Sequence, residues 1–345
     1  MLRTFSISNR LLLVLCSMAL AAGCAHGGRG GQGEGSGLSS AGGHESVLMM
    51  VVVSGARLRD EPALTGAQVG TLSLGSRLNV SRHTDSGDEI DGDGRWVFGT
   101  PESGLAGWVH SSLVAVVDTE ASQAQAIELM NSRLSSGSLG FLDWIDLVRF
   151  CDDFIANANA RTNLIEARFL RLKAINRAAE QVPSGVGAWT TEEPYSSWLE
   201  THAEDLAYSE PGDQWFVNGM NVWRLAKEAE GLTIADSIGW YAAHVPIPGE
   251  CEGFLPCYLG LKRLTIGQYL QVYPTGAHVE QGLESITEMM IEIDDRFDSF
   301  ELYDEGGAET LTVLDEIREI VIATKHPKSK ATVASIDQVM THLPN

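Results

Sequence analysis

The chain is poor in positive charge. Its 345 residues hold 24 Lys and Arg against 46 Asp and Glu, a formal net charge of −22. A phosphate backbone is gripped by clustered Lys and Arg, so this balance excludes nucleic acid as a default partner. Catalytic signatures are also missing. Neither G-x-S-x-G nor H-E-x-x-H occurs, and no two of the nine histidines stand four apart to form a helical zinc pair. Apolar residues are not laid out as a series of membrane spans, which excludes a multi-span protein. What is present is 44% hydrophobic and 20% charged residues. That mixture supports a packed core and rules out wholesale disorder. The length suits about two domains.

The N-terminus reads as an address. Arg3 and Arg10 precede the apolar run from Leu11 to Leu20, which is too short to span a bilayer comfortably. Ala21-Ala22-Gly23-Cys24 follows. Small residues directly before a cysteine resemble the lipobox of bacterial lipoproteins. The usual Leu at −3 is Ala21 here, with Leu20 one place earlier. The resemblance implies that residues 1–23 are a signal peptide, that Cys24 is acylated, and that the membrane is a partner through the attached lipid. Ala25 in place of Asp at +2 implies sorting to the outer membrane; a periplasm-facing chain is the expectation, with the surface face as the alternative. One acyl chain, at about 0.8 kcal/mol per buried methylene, binds only reversibly. The several chains of that family make the attachment effectively permanent.

Five cysteines occur. Cys16 leaves with the signal and Cys24 carries lipid. Cys251 and Cys257 flank Glu-Gly-Phe-Leu-Pro, and in an oxidising periplasm they are expected to pair. Loop entropy gives so small a ring only about 2 kcal/mol. Cys151 is left as a free, buried thiol.

Residues 24–46 are mostly Gly, Ser, Ala and His after the cysteine and read as a flexible tether. Gly28-Arg29-Gly30-Gly31-Gln32-Gly33 matches G-x-G-x-x-G, but low complexity on both sides makes a dinucleotide site a poor account of it. Residues 47–117 change character. Short β-branched or alternating runs sit between Gly, Asp and Pro turns, a pattern that predicts a small barrel. Ala56-Arg57-Leu58-Arg59-Asp60-Glu61-Pro62, Gly70-Thr71-Leu72 with Gly75, Arg95-Trp96-Val97, and Gly107-Trp108-Val109-His110-Ser111-Ser112-Leu113 occur in that order. Together they resemble the bacterial SH3-like (SH3b) domain, written LNVRxxP, G-x-L-x-x-G, W-x-x-V and G-W-V-x-x-x-L. The family's Asn is Arg57 here, and an acidic insertion runs from Asp85 to Gly94. The resemblance covers roughly a fifth of the chain. It implies a binding module for peptidoglycan or an envelope protein, with Trp96 and Trp108 either lining its groove or packing the barrel. Glu89 to Gly94 echoes the start of a calcium loop, but the twelfth position is Thr100, so a hairpin loop is the better account and no metal is expected.

From 118 to 345 the apolar period becomes helical. Phe141, Trp144, Val148, Cys151 and Ile155 form one stripe; Ile165, Phe169, Leu172 and Ile175 another. Val279, Leu283, Ile286, Met290, Ile293 and Phe297 make a third, and Leu311, Leu314, Ile317 and Val321 a fourth. Pro183-Ser184-Gly185, Pro211-Gly212, Pro246 to Gly249 and Gly306-Gly307 punctuate them. The expectation is an all-α domain of about eight to ten helices. Tyr269 to Leu283 is similar to the helix-turn-helix junction of tetratricopeptide-like (TPR-like) units, Y-L-x-x-Y-P-x-G, and Phe154 to Phe169 reads as a degenerate second copy. The segment carries 16 Lys and Arg against 36 Asp and Glu, which suits a solvated acidic surface or a face for a basic partner.

Two enzymatic readings suit an envelope protein. Cys251-Glu252-Gly253-Phe254 is similar to the nucleophile motif of NlpC-type peptidases, but Glu250 and Glu252 replace that family's Asp and Ser. Glu284-Ser285 is similar to the acid of lytic transglycosylases, but the later G-L-M-Q segment is absent. The expected whole is a multidomain α+β chain: an SH3-like barrel, then a TPR-like helical domain. It reads as a non-enzymatic binding and scaffold lipoprotein without catalytic residues or cofactor. The competing reading is a peptidoglycan hydrolase or its activator.

Overall fold

The computed structural model describes residues 46–84, 95–183, 185, 190–302 and 307–343. The lipobox with Cys24, the tether, and the acidic insertion from Asp85 to Gly94 lie outside the described residues.

Short β-branched runs broken by Gly, Asp and Pro give seven strands. They are β1 (Val47–Val51), β2 (Ala56–Arg59), β3 (Gln68–Leu72), β4 (Arg77–His83), β5 (Trp96–Pro101), β6 (Gly107–His110) and β7 (Val114–Val116). All pair antiparallel, in the order β3-β2-β6-β5-β4-β1-β7. Alternation sets the faces. Ala56 and Leu58 are buried while Arg57 is exposed; Leu78 and Val80 are buried while Asn79 is exposed. Leu72 of one edge strand and Val114 of the other share a single core with Leu58, Leu78, Val97 and Val109, so the sheet curls around its own inner face. Gly107 allows the close approach of β6 to β2: a Cβ there would lie 2.6 Å from Leu58 Cγ.

Eleven helices follow among the described residues: α1 (Ser122–Leu134), α2 (Phe141–Asn157), α3 (Arg161–Ala179), α4 (Tyr195–Thr201), α5 (Gly219–Glu228), α6 (Ala235–Ala242), α7 (Leu255–Lys262), α8 (Gln268–Val272), α9 (Val279–Asp295), α10 (Ala308–Ala323) and α11 (Ser329–Met340). A π turn, Arg263–Gly267, joins α7 to α8. The stripes explain the packing. Trp144, Val148 and Cys151 of α2 are buried, as are Leu283, Ile286 and Met290 of α9 and Leu314, Ile317 and Val321 of α10. Helix α3 is buried on two sides. Ala167, Leu170 and Ala174 enter the core shared with α1 and α2, while Ile165, Phe169 and Leu172 enter the core shared with α5 and α6. A third helical core gathers α7 to α11.

Three expectations need correction. The sheet is open, not a closed barrel: β3 and β7 are its two edges. The physical reason lies just past β3. The Leu74 N–H donates to Asp146 Oδ2 at 2.7 Å, and the Leu74 carbonyl accepts from Arg149 Nη2 at 2.7 Å, both residues on α2. Backbone groups that would extend the β3 edge are bonded to a helix instead. Met50 and Leu74 accordingly belong to the same core as α1, α2 and α3.

The segment after 118 is not all-α. Leu206–Ser209 (β8) and Gln214–Val217 (β9) form an antiparallel hairpin, and Pro211-Gly212 lies in its turn. Leu206, Phe216 and Val217 are buried, and because neighbours in a strand point to opposite faces, both faces of β9 are covered at its end. The helices also do not form a regular TPR array. The segments singled out do make helix-turn-helix junctions, α2 to α3 and α8 to α9, but helix lengths run from 5 to 19 residues. The hairpin and the π turn interrupt any constant period.

Candidate functional site

On the outer face of the sheet, cross-strand pairing builds one row from four strands. Arg82 pairs with Phe98, Phe98 with Trp108, and Trp108 with Arg59. Residues directly opposite in antiparallel strands share a face, so the four side chains project together. Ser81 makes this possible. The register shifts between Val80 and Arg82, and that bulge turns Arg82 onto the Phe98 side. The Arg82 guanidinium carbon lies 4.0 Å from the Phe98 ring centre and 5.6 Å from that of Trp108. Phe98 and Trp108 meet edge to face at 5.2 Å. At the other end Arg59 Nη1 donates to the Gly66 carbonyl at 2.5 Å, which ties the loop after β2 to the sheet.

Beside this row, Trp96 pairs with His110 and meets it edge to face at 5.3 Å. The two line a cleft of about 280 Å³ with Arg57, Leu64 and Leu113. The two tryptophans therefore differ. Trp96 is 3% exposed and presents little surface, whereas Trp108 is only half-buried. Arg82 and Phe98 carried no signal in the motif pattern. The pairing register brings them in, and the register depends on the bulge.

The helical part holds two polar clusters. Arg171 of α3 donates from Nε to Asp152 Oδ1 at 2.5 Å and from Nη1 to Asp205 Oδ2 at 2.6 Å, joining α2, α3 and the segment before β8. Burial alone would raise the Asp205 carboxyl, but the nearby His202 ring, its Nδ1 4.0 Å from Oδ2, and the Arg171 hydrogen bond outweigh it and hold the pKa down at about 2. In the second cluster, His278 stacks on Trp240 with ring centres 4.8 Å apart, and its Nε2 lies 3.9 Å from Asp236 Oδ2. Tyr269 donates to Asp236 Oδ1 at 2.6 Å and accepts from the His278 N–H at 3.1 Å. Burial, then the Asp236 hydrogen bond, pushes the Tyr269 hydroxyl up, so it stays a donor. These contacts lock the turn between α8 and α9 onto α6.

Cys251 and Cys257 are joined by a disulfide, with Cα atoms 5.4 Å apart. A thiolate nucleophile at Cys251 is thereby absent in this state. Cys151 is a free, buried thiol, pushed up to about 12 by burial and then by Asp152. Glu284 is ion-paired to Lys328, which also bonds Glu280 Oε1 at 2.6 Å. Among the described residues no group of three His, Cys, Asp or Glu stands close enough to hold a metal ion, and no helix is long and apolar enough to cross a membrane. Comparison with protein-family models, curated proteins and solved structures finds no match for this chain.

Proposed function

We propose that the chain is a lipid-anchored, periplasm-facing lipoprotein of the outer membrane that binds cell wall or an envelope protein through its sheet. The observation that carries the reading is the row Arg82, Phe98, Trp108 and Arg59. Half-buried aromatic residues flanked by guanidinium groups suit a ligand that offers both an apolar face and carboxylates, as wall peptides and protein segments do. SH3b-like motifs in the same strands support the same reading, and the segment from Arg3 to Cys24 supports the anchor. The helices then serve as a rigid body for a protein partner, because Leu74, Asp146 and Arg149 fasten the sheet to α2.

Two experiments test it. Cys24→Ser is expected to abolish labelling by a fatty-acid analogue; retained labelling contradicts the anchor. A pull-down from envelope extract compares the wild-type chain with Trp108→Ala. Loss of the captured wall material or protein supports the sheet as the binding face, and an unchanged capture contradicts it. Zymography on peptidoglycan adds a direct check, since clearing by the purified chain would favour a hydrolase.

A further inference from the structure

A cleft of about 760 Å³ opens between α5, α6 and α8, well away in sequence from the sheet. Its volume falls in the usual range of small-molecule sites, roughly 300–1,000 Å³. Its wall is largely apolar and includes Met220, Trp223, Leu232, Val272 and Tyr273. Met220 is 71% exposed and Val272 52% exposed. Two large apolar side chains left open on one cleft are a cluster rather than scattered surface residues. Methionine is also the side chain that adapts most readily to an irregular ligand.

The charges around the cleft are uneven. Arg224 and Lys227 stand one turn apart on α5 and both line it. On the neighbouring α3, Arg168 and Arg171 are tied to acids. Among the described residues, Arg224 has only the Asn221 Oδ1 bond at 2.9 Å, and the Lys227 side chain has no hydrogen bond or ion pair. Two acids, Glu230 and Asp236, line the same cleft. Asp236 already accepts the Tyr269 hydroxyl. The two cations, neither paired with an acid, thus share the cleft with two carboxylates, of which Asp236 is turned toward Tyr269 and His278, in a chain whose net charge is −22. An apolar wall beside two cations that lack an acid partner complements a molecule with an apolar body and an anionic end.

We propose that this cleft binds a single-chain amphiphile with an anionic head. Its chain lies against Met220, Trp223 and Val272, and its head meets Arg224 and Lys227.

The test uses the full chain carrying Cys24→Ser, so that no attached lipid competes. The probe is dansyl-undecanoate, whose emission rises in an apolar site, with dodecanoate and dodecanol as competitors. The expected result is a saturable rise in emission that dodecanoate reverses and that Val272→Glu abolishes. Arg224→Gln with Lys227→Gln is expected to weaken displacement by dodecanoate about tenfold, the scale of a lost charge-assisted hydrogen bond, while dodecanol displaces as before. All three replaced residues are exposed, and unchanged circular dichroism verifies that the variants fold. Probe binding that survives Val272→Glu places the site elsewhere and overturns the proposal. Equal dodecanoate displacement in the double variant overturns the anionic head. No probe binding, with an envelope protein crosslinked through Val272→Cys instead, overturns it in favour of a protein occupant.

Discussion

Gly75, in the turn between β3 and β4, packs its bare Cα against the ring of Phe150 on α2: a methyl group there would sit 2.2 Å from Phe150 Cδ2. Gly75 also holds φ at +79°, a conformation that side chains resist. The sheet and helices therefore meet through a glycine, a ring and the two hydrogen bonds at Leu74.

Gly75→Ala is expected to destabilise the chain by about 2–5 kcal/mol, since the left-handed conformation costs about 1–2 and overpacking about 1–3. Urea unfolding is the measurement. Phe150→Ala removes the clash, so the two substitutions are expected to be less costly together than their sum. Strict additivity would mean that the ring does not press on the turn.

The sequence made some of this legible. Stripes such as Val279, Leu283, Ile286 and Met290 repeat at helical spacing because each buries one face, and those faces are where the helices pack. Helix α3 was readable only in part: Ile165, Phe169 and Leu172 of its stripe share one core, but the last member, Ile175, belongs to the other with Ala167, Leu170 and Ala174. The β8–β9 hairpin was hidden because Pro211-Gly212 marks a break without saying what it separates. Trp108 was legible from its motif, whereas Arg82 and Phe98 join it through a bulge that no local pattern announces.

Asp205 makes stability depend on acid. Its pKa is about 2 in the fold against an ordinary 3.8. A lowered carboxylate contributes stability above its unfolded value, and that contribution fades as pH falls from about 4 toward 2. The scale is about 2 kcal/mol. Asp205→Asn is expected to lower the urea midpoint at pH 6 and to flatten its fall between pH 4 and 3. A midpoint with the same acid slope in the variant would remove Asp205 from the account.

Cys151 is buried and its thiol is pushed up to about 12. It is expected to resist iodoacetamide at pH 8 in the folded chain and to react fully in denaturant. A non-reducing peptide map is expected to show Cys251 linked to Cys257 and Cys151 unlinked. Rapid labelling of Cys151 in the folded chain would contradict its placement in the α2 core.

The central claim is that the sheet's outer row is a binding face, and Trp108→Ala tests it most directly. The measurement is cosedimentation of the purified chain with cell-envelope fragments, paired with circular dichroism and a urea curve. The account predicts weaker binding by about 1–3 kcal/mol, the scale of an aromatic anchor, with the fold and its stability little changed. Undiminished binding by a folded Trp108→Ala chain, or a variant that loses its β-type signal because the ring was holding the sheet together, would contradict it.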